Sequence, residues 1–407
     1  MAKYNYDKSA LKGLGVGAFL NEVKVREAQI AKAPAEEIQS EFNSNILAAK
    51  LHPHVQCAKV SKVTELNGAK TFTLVPDPEK GTKALAYFRA GQYVSIVVSA
   101  DGILRTRPYT LACAPKSALG EENTSYQITV KGSPNGVVSS AMLENWKEGT
   151  EVMLSGPLGY FYYQKLRDAA HVVACAGGSG ITPFLSMAEA IADGTEDFRL
   201  TILYGNRTEE TILLKEQLEE AEKRSGGKVK VVHILSEEEK EGYEHGFISA
   251  EIIKKYAGDG DYSIFACGPK AMYTFLDGEI KKLGLPKRRA RFEVPGEYGD
   301  PSADPSYPKE AAGKEYTVKI IARGRLYEVS CRADQTLLSA AEEAGIFVTG
   351  DCRSGVCGWC HSRLIEGDVF MPEDADGRRK ADKKFGWIHP CVSYPVSDCA
   401  IEVFPTA

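Results

Sequence analysis

Gly350-Asp351-Cys352-Arg353-Ser354-Gly355-Val356-Cys357-Gly358-Trp359-Cys360 places three cysteines in a C-x4-C-x2-C run, and a fourth, Cys391, follows after a long gap. That is the spacing of a [2Fe–2S] cluster site, and it implies electron-transfer chemistry. Small, flexible residues stand between the cysteines, so a tight loop can turn thiolates and backbone N–H groups toward one centre, which a helix cannot do. Zinc also takes four thiolates, but structural zinc usually draws on two close pairs rather than three clustered ligands and a remote one. Cys352, Cys357, Cys360 and Cys391 are therefore the expected iron ligands, with zinc as the competing occupant. Cys331 and Cys399 fall outside the pattern and are expected to be buried thiols.

Around this stretch the chain has 407 residues, enough for two or three domains with full cores. Charged residues make up 26% and hydrophobic ones 43%, as in an ordinary globular protein, and no apolar run approaches the length of a membrane span. A net charge of −5 argues against a nucleic-acid partner, which needs concentrated Lys and Arg. Met1-Ala2-Lys3-Tyr4-Asn5-Tyr6-Asp7-Lys8 lacks the apolar core of a signal peptide, so a cytoplasmic location is expected and the cysteines are read as thiols or metal ligands.

The pattern along the chain predicts a multidomain protein: an antiparallel β-barrel, an α/β doubly wound domain and an α+β domain holding the cysteines. An N-terminal arm (1–54) includes Val23 to Lys32 as an amphipathic helix stopped near Pro34. Residues 55–165 carry short β-branched runs such as Tyr93 to Val98 and Tyr126 to Val130, separated by Gly, Pro and Asn turns, which predict the barrel. In 166–294, apolar strands (171–175, 200–204, 229–235, 263–267) alternate with helical patterns (183–192, 211–223, 250–256), the signature of a parallel sheet and a nucleotide site. A linker rich in Pro, Gly, Asp and Ser (295–313) then leads to the cysteine-bearing unit (314–407).

Arg107-Pro108-Tyr109-Thr110, with Phe88-Arg89-Ala90-Gly91-Gln92-Tyr93 upstream, resembles the flavin motif of the ferredoxin–NADP reductase superfamily. The resemblance implies that Arg107 pairs with flavin phosphate, Pro108 keeps the motif's place, Tyr109 packs on the isoalloxazine and the Thr110 hydroxyl approaches its reactive edge. A guanidinium suits phosphate oxygens and a phenol offers a flat apolar face. Read alone, the same four residues are also a half-exposed strand. Gly136-Val137-Val138-Ser139 looks like the family's pyrophosphate-binding helix start, with the N–H groups of Val138 and Ser139 and the Ser139 hydroxyl facing phosphate. A plain N-cap serine would read the same way. Gly156-Pro157-Leu158-Gly159-Tyr160-Phe161 resembles the barrel-closing loop of FAD-containing members, so FAD is expected rather than FMN. Phe292 lies near the point where relatives place an aromatic residue over the flavin.

Ala176-Gly177-Gly178-Ser179-Gly180-Ile181-Thr182-Pro183 follows an apolar strand and opens a helix. Gly177, Gly178, Gly180 and Thr182 are thus expected to cradle a pyrophosphate. Asn206 and Arg207 follow the next strand, and Cys267-Gly268-Pro269-Lys270-Ala271-Met272 resembles the family's Cys-Gly-Pro-x-x-Met signature, in which the cysteine lies near the nicotinamide. Tyr109, Thr110 and Cys267 are accordingly the expected catalytic residues, a buried structural thiol being the alternative for Cys267. Relatives that use NADPH usually carry an Arg where this chain has Glu237-Glu238-Glu239, and a carboxylate run repels a 2′-phosphate, so NADH is expected over NADPH.

The cysteine-bearing unit resembles plant-type ferredoxins through Leu364-Ile365-Glu366-Gly367-Asp368-Val369 and Ile388-His389-Pro390-Cys391, and a β-grasp fold is implied. Tyr316 to Ile321 and Leu326 to Cys331 are read as a hairpin turning through Gly324, followed by a helix over about 336–344 with Asp334 near its start. Trp359 departs from the small residue that relatives often have there. The domain order resembles the single-chain reductases of oxygenase systems and the NADH reductase of hybrid-cluster protein. This implies an enzyme passing electrons from NADH through FAD to the cluster and on to a redox protein acceptor, an oxygenase or other metalloenzyme component. Two alternatives are a flavin-dependent reductase of a small molecule and a noncatalytic electron-transfer subunit of a larger redox complex.

Overall fold

The computed structural model describes residues 16–32, 42–120, 122–133, 136–293, 296 and 299–404. The expected helix stop at Pro34, the expected start of the linker at Pro295 and the segment Met1 to Lys8 lie outside these residues. The chain divides into two compact units, Met1–Leu47 and Ala48–Ala407. In the first, the amphipathic pattern forms α1 (Val16–Lys32), and the division falls within α2 (Asn43–Leu51).

The second unit begins with six antiparallel strands: β1 (Gln56–Leu66), β2 (Ala69–Pro76), β3 (Tyr93–Ala100), β4 (Ile103–Thr110), β5 (Tyr126–Lys131) and β6 (Glu151–Leu154). They run in the order β4-β3-β6-β1-β2-β5, and Leu111, just past β4, bridges Ile128 of β5, so the sheet curls back on itself. Inward-facing Phe72, Leu74, Val94, Ile96, Leu111 and Ile128 fill its core, and α3 (Val137–Asn145) adds Val138 and Met142. Strand β3 is buried at Tyr93, Val94, Ser95 and Ile96 alike, because its second face is covered as well.

Next come the parallel strands β7 (His171–Gly177), β8 (Arg199–Asn206), β9 (Val229–Leu235), β10 (Glu244–His245), β11 (Ser263–Cys267) and β12 (Ala290–Glu293), in the order β10-β9-β8-β7-β11-β12. All seven residues of β7 are buried, since helices cover both faces. Val172 and Ala174 pack with α4 (Thr182–Ala192) and α5 (Lys215–Arg224), while Val173 and Cys175 pack toward α6 (Ala250–Ala257) and α7 (Lys270–Lys282). The order reverses between β7 and β11, which sets the ligand crevice outside their C-terminal ends. The helix expected from Thr211 starts at Lys215: Leu213 and Leu214 are drawn into the core ahead of it, with Leu214 at φ 57°. Sequence patterning missed α7 and the four-residue β12.

The last domain is a mixed sheet of β13 (Glu315–Ala322), β14 (Arg325–Arg332), β15 (Ser362–Glu366), β17 (Trp387–Ile388) and β19 (Cys399–Val403), ordered β14-β13-β19-β15-β17. A small pair, β16 (Val369–Phe370) and β18 (Tyr394–Pro395), stands beside it, with the short helix α9 (Lys380–Lys384). Arg323 and Gly324 turn the first hairpin with φ 50° and 74°, the pair of positive values a two-residue hairpin turn needs. Helix α8 (Leu337–Glu343) crosses the sheet and is capped by Thr336, whose Oγ1 accepts the Ser339 N–H at 3.1 Å. Cys331 and Cys399 are buried, and burial pushes their thiols up to about 12 and about 11. The linker is not free chain: Tyr307 and Ala311 are buried with Ala333, and the Tyr307 hydroxyl donates to Ala333 O at 3.2 Å. Its composition signalled turns, but this small apolar cluster fastens it to the last domain.

Candidate redox site

The cysteine loop closes on itself through sulfur. Cys352 Sγ accepts the backbone N–H groups of Ser354 and Cys357, each at 3.4 Å, and Cys360 Sγ lies 3.3 Å from Cys391 Sγ. The Cys357 and Cys391 thiols also hydrogen-bond Cys352, which holds it far below the ordinary thiol range and holds those two above it. The four sulfurs thus form one connected row. Among the described residues no group of three or more His, Cys, Asp or Glu side chains surrounds a single point as one ion requires. Four thiols brought together with backbone amide donors suit a metal–thiolate centre, and the loop spacing is the one a two-iron cluster takes. The loop is pressed against its surroundings: a Cβ on Gly355 would lie 2.1 Å from Ala375 O, and one on Gly377 2.4 Å from Gly355 O. His389 Nδ1 is 2.7 Å from Gly355 O. The Trp359 ring stands edge-on to His54, centroids 6.4 Å apart, so it packs between domains.

On the barrel, Arg107, Pro108, Tyr109 and Thr110 form the end of β4, opposite Ile96, Ser95, Val94 and Tyr93 of β3. Tyr109 packs against the barrel core, and burial pushes its phenol up to about 12. The Arg107 guanidinium donates to Thr106 O at 2.9 Å and faces Glu342 of α8 at 3.5 Å, a partner that the sequence did not suggest. At the start of α3, Ser139 Oγ donates to Gly136 O at 3.0 Å, so its hydroxyl is turned onto its own first turn. The first N–H groups of a helix have no partner within it, which leaves those of Val138 and Ser139 as the donors suited to phosphate.

On the α/β domain, Gly177 ends β7 and Gly178 to Ile181 make one tight turn before α4. A Cβ on Gly180 would lie 2.2 Å from Cys267 O, while Cβ atoms on Gly177 and Gly268 would strike Met272 Sδ at 2.6 and 2.8 Å. The Cys-Gly-Pro-x-x-Met signature is therefore packed directly against the glycine turn, with Pro269 heading α7. Thr182 Oγ1 donates to Ser179 O at 3.2 Å and tightens the turn. Lys131, at the end of β5, brings its Nζ within 3.7 Å of where a Gly178 side chain would begin. Asn206 Nδ2 is buried with no hydrogen-bond partner among the described residues, an orphaned donor in the crevice that suits a bound ligand. Of the acidic triplet, Glu237 faces Arg207 at 3.5 Å, Glu238 accepts the Glu209 N–H at 2.9 Å and Glu239 lies 3.8 Å from His245.

Tyr93, Glu293 and Asp351 lie where the three domains meet. Glu293 pairs with Cys267 across β12 and β11, and burial of its carboxyl, with the Cys352 sulfur nearby, pushes it up to about 8 against the pull of Arg291. Burial also raises the Tyr93 phenol, with the Cys352 and Cys357 sulfurs adding to the effect, and burial pushes the Cys267 thiol up. Ser95 Oγ donates to Asp351 O at 3.1 Å, tying β3 to the cluster loop. The end of β11 with its Cys-Gly-Pro-x-x-Met run, the β3–β4 pair and the cysteine loop thus converge on one junction. Glu293, Lys131 and Glu342 escaped the sequence reading; only Lys131, at a strand end before Gly132, carried a local hint.

Three domain families match the chain: an oxidoreductase FAD-binding domain over 69–163, an oxidoreductase NAD-binding domain over 175–277 and a 2Fe-2S iron-sulfur cluster binding domain over 320–396. The glycine betaine monooxygenase reductase subunit of Pseudomonas aeruginosa is 28% identical over 365 residues, covering 86% of this chain and 94% of that protein. The ferredoxin reductase component of 3-ketosteroid-9-alpha-monooxygenase from Rhodococcus rhodochrous is 28% identical, covering 83% and 94%. Among solved structures, phthalate dioxygenase reductase superposes with a TM-score of 0.59 at 24% identity, covering 86% of this chain and 98% of that one, a likeness of fold. Among the described residues no helix is long and apolar enough to cross a membrane.

Proposed function

We propose that this chain, which belongs to the ferredoxin–NADP reductase superfamily and carries a C-terminal [2Fe–2S] domain, is the NADH-dependent reductase of an oxygenase-type system. It would pass electrons from NADH through FAD to the cluster and then to a separate redox protein. The reading rests on the junction of Cys267, Tyr93 and Cys352, where the ends of three modules meet within one unit. When bound, the flavin takes a hydride as two electrons and the cluster passes them on singly.

The chain's own residues supply placement. Arg107 and the N–H groups of Val138 and Ser139 hold flavin phosphates, while Tyr109 and Thr110 line the ring. Gly177, Gly178 and Gly180 let backbone amides reach the nucleotide pyrophosphate, with Lys131 opposite and Thr182 bracing the turn. Asn206 offers its orphaned donor, and Gly268 and Pro269 carry Cys267 to the nicotinamide. Arg207 is matched by Glu237, which disfavours a 2′-phosphate and supports NADH. Cys352, Cys357, Cys360 and Cys391 hold the irons. The oxygenase relatives support a protein acceptor of that class.

Acid extraction of the purified chain with flavin chromatography, iron, sulfide and zinc analysis tests the assignment. One FAD, two irons and two sulfides per chain are expected; zinc in place of iron, or FMN as the released flavin, would overturn the corresponding half.

A further inference from the structure

Strand β4 is the edge of the barrel sheet, so part of its backbone N–H row points away from β3 with no strand to receive it. At Thr106 that N–H is taken by a side chain of the last domain, Glu342 Oε1 of α8, at 3.3 Å. The same oxygen accepts the Arg353 guanidinium, and Oε2 faces Arg107 Nη1 at 3.5 Å. Glu342 is 8% exposed and Arg353 1%, so this carboxylate and guanidinium meet away from water.

The three partners are not interchangeable surface groups. Arg353 directly follows the ligand Cys352 and holds φ 55°, a conformation an arginine keeps only when its surroundings fix it. Arg107 begins the motif of the strand assigned to flavin, and Thr106 directly precedes it. A single carboxylate therefore connects the strand assigned to flavin with the loop assigned to the cluster. A further tie runs from the neighbouring strand β3, where Ser95 Oγ donates to Asp351 O of the cysteine loop at 3.1 Å.

We propose that Glu342 is the positioning residue for flavin-to-cluster electron transfer: it fixes the last domain on the edge of the flavin strand and so sets the separation across which each electron passes. No bond forms or breaks in that step; one electron leaves the reduced flavin and enters the oxidised cluster. A guanidinium carries five N–H groups in a planar fork, so Arg107 can face Glu342 and a phosphate together. A buried carboxylate that loses its buried guanidinium partner is strongly disfavoured, which holds Glu342 and Arg353 together. The proposal rests on the functional reading above, in which β4 holds the flavin.

Glu342→Gln and Glu342→Asp in the full chain, loaded with flavin and cluster, test it. Glu342→Gln should keep FAD, iron and both absorption spectra, with NADH-to-ferricyanide activity within about twofold of wild type. NADH-to-cytochrome c activity should fall clearly beyond that margin, roughly fivefold or more, because transfer of an electron weakens steeply as the two centres separate. Hydrogen–deuterium exchange, independent of turnover, should quicken over residues 103–110 and 337–354, and Glu342→Asp should recover part of both losses. Wild-type cytochrome c reduction with wild-type exchange in Glu342→Gln would overturn the proposal and leave the functional reading intact. Equal loss of both activities, or loss of flavin, would also overturn it by making Glu342 a support of Arg107 in flavin binding. A wild-type chain without flavin or cluster would instead sink the functional reading itself.

Discussion

A methyl group on Gly180 has no room. Its carbon would lie 2.2 Å from Cys267 O, 2.4 Å from Cys267 C and 2.7 Å from Gly268 N, all backbone atoms at the end of β11, where ordinary contact begins near 3.4 Å. The turn and the strand end would have to part by about 1.2 Å, and neither yields easily. Gly180 leads straight into the buried first turn of α4, and β11 is held between β7 and β12. Overpacking of this kind costs about 1–3 kcal/mol, and an ångström of misplacement at a reacting centre costs on the order of 10²-fold in rate. Gly180→Ala should therefore lower kcat/KM for NADH, with ferricyanide as acceptor, roughly 10- to 100-fold while FAD and iron contents stay at wild-type levels. Gly260→Ala, where a Cβ meets nothing within 4 Å, is the matched control and should be neutral. A Gly180→Ala enzyme within about twofold of wild type would show that the glycine turn does not set the nicotinamide's place.

Lys131→Met removes the cation that the barrel extends toward Gly178; KM for NADH should rise roughly fivefold or more with kcat largely kept, and an unchanged KM would remove Lys131 from the nucleotide site. Wild-type enzyme should favour NADH over NADPH by roughly tenfold or more, and Glu237→Ala, which releases Arg207, should narrow that ratio; kinetics with both nucleotides decide, and an unaltered ratio would place the pair away from the 2′ position. His171 is buried, with Nδ1 accepting from Arg199 at 2.7 Å, and burial together with that guanidinium lowers its pKa to about 4. The unfolded chain, with its histidine near 6.5, therefore binds the extra proton first, so stability should be full above about 6.5 and fall as pH drops toward 4. His171→Gln should flatten that part of the stability profile, and an identical acid slope in the variant would assign the loss elsewhere.

Much of the fold was readable where one physical constraint dominates. The strand is apolar from Val172 to Cys175 because helices cover both its faces, and the cysteine spacing is legible because four thiolates must reach one centre. Elements without such a constraint escaped. Strand β12 is only four residues long, so Glu293 could not be placed beside Cys267 until their register was known. Contacts between domains were invisible for another reason: Glu342 reads as an ordinary exposed helix residue, and only the approach of α8 to β4 makes it the partner of Thr106, Arg107 and Arg353. The linker's turn-rich composition likewise hid the burial of Tyr307.

The route of the electrons is tested most directly by mixing NADH anaerobically with wild-type and Cys357→Ser protein in a stopped-flow instrument, following flavin absorbance, and freezing samples for the cluster's paramagnetic resonance signal. Wild type should show flavin reduction first and the cluster signal growing after it. Cys357→Ser should reduce its flavin at the wild-type rate and keep ferricyanide activity while losing the cluster signal and cytochrome c reduction. A cluster signal that appears before flavin reduction, or cytochrome c reduction preserved in Cys357→Ser, would contradict the path from NADH through flavin to the four-cysteine centre.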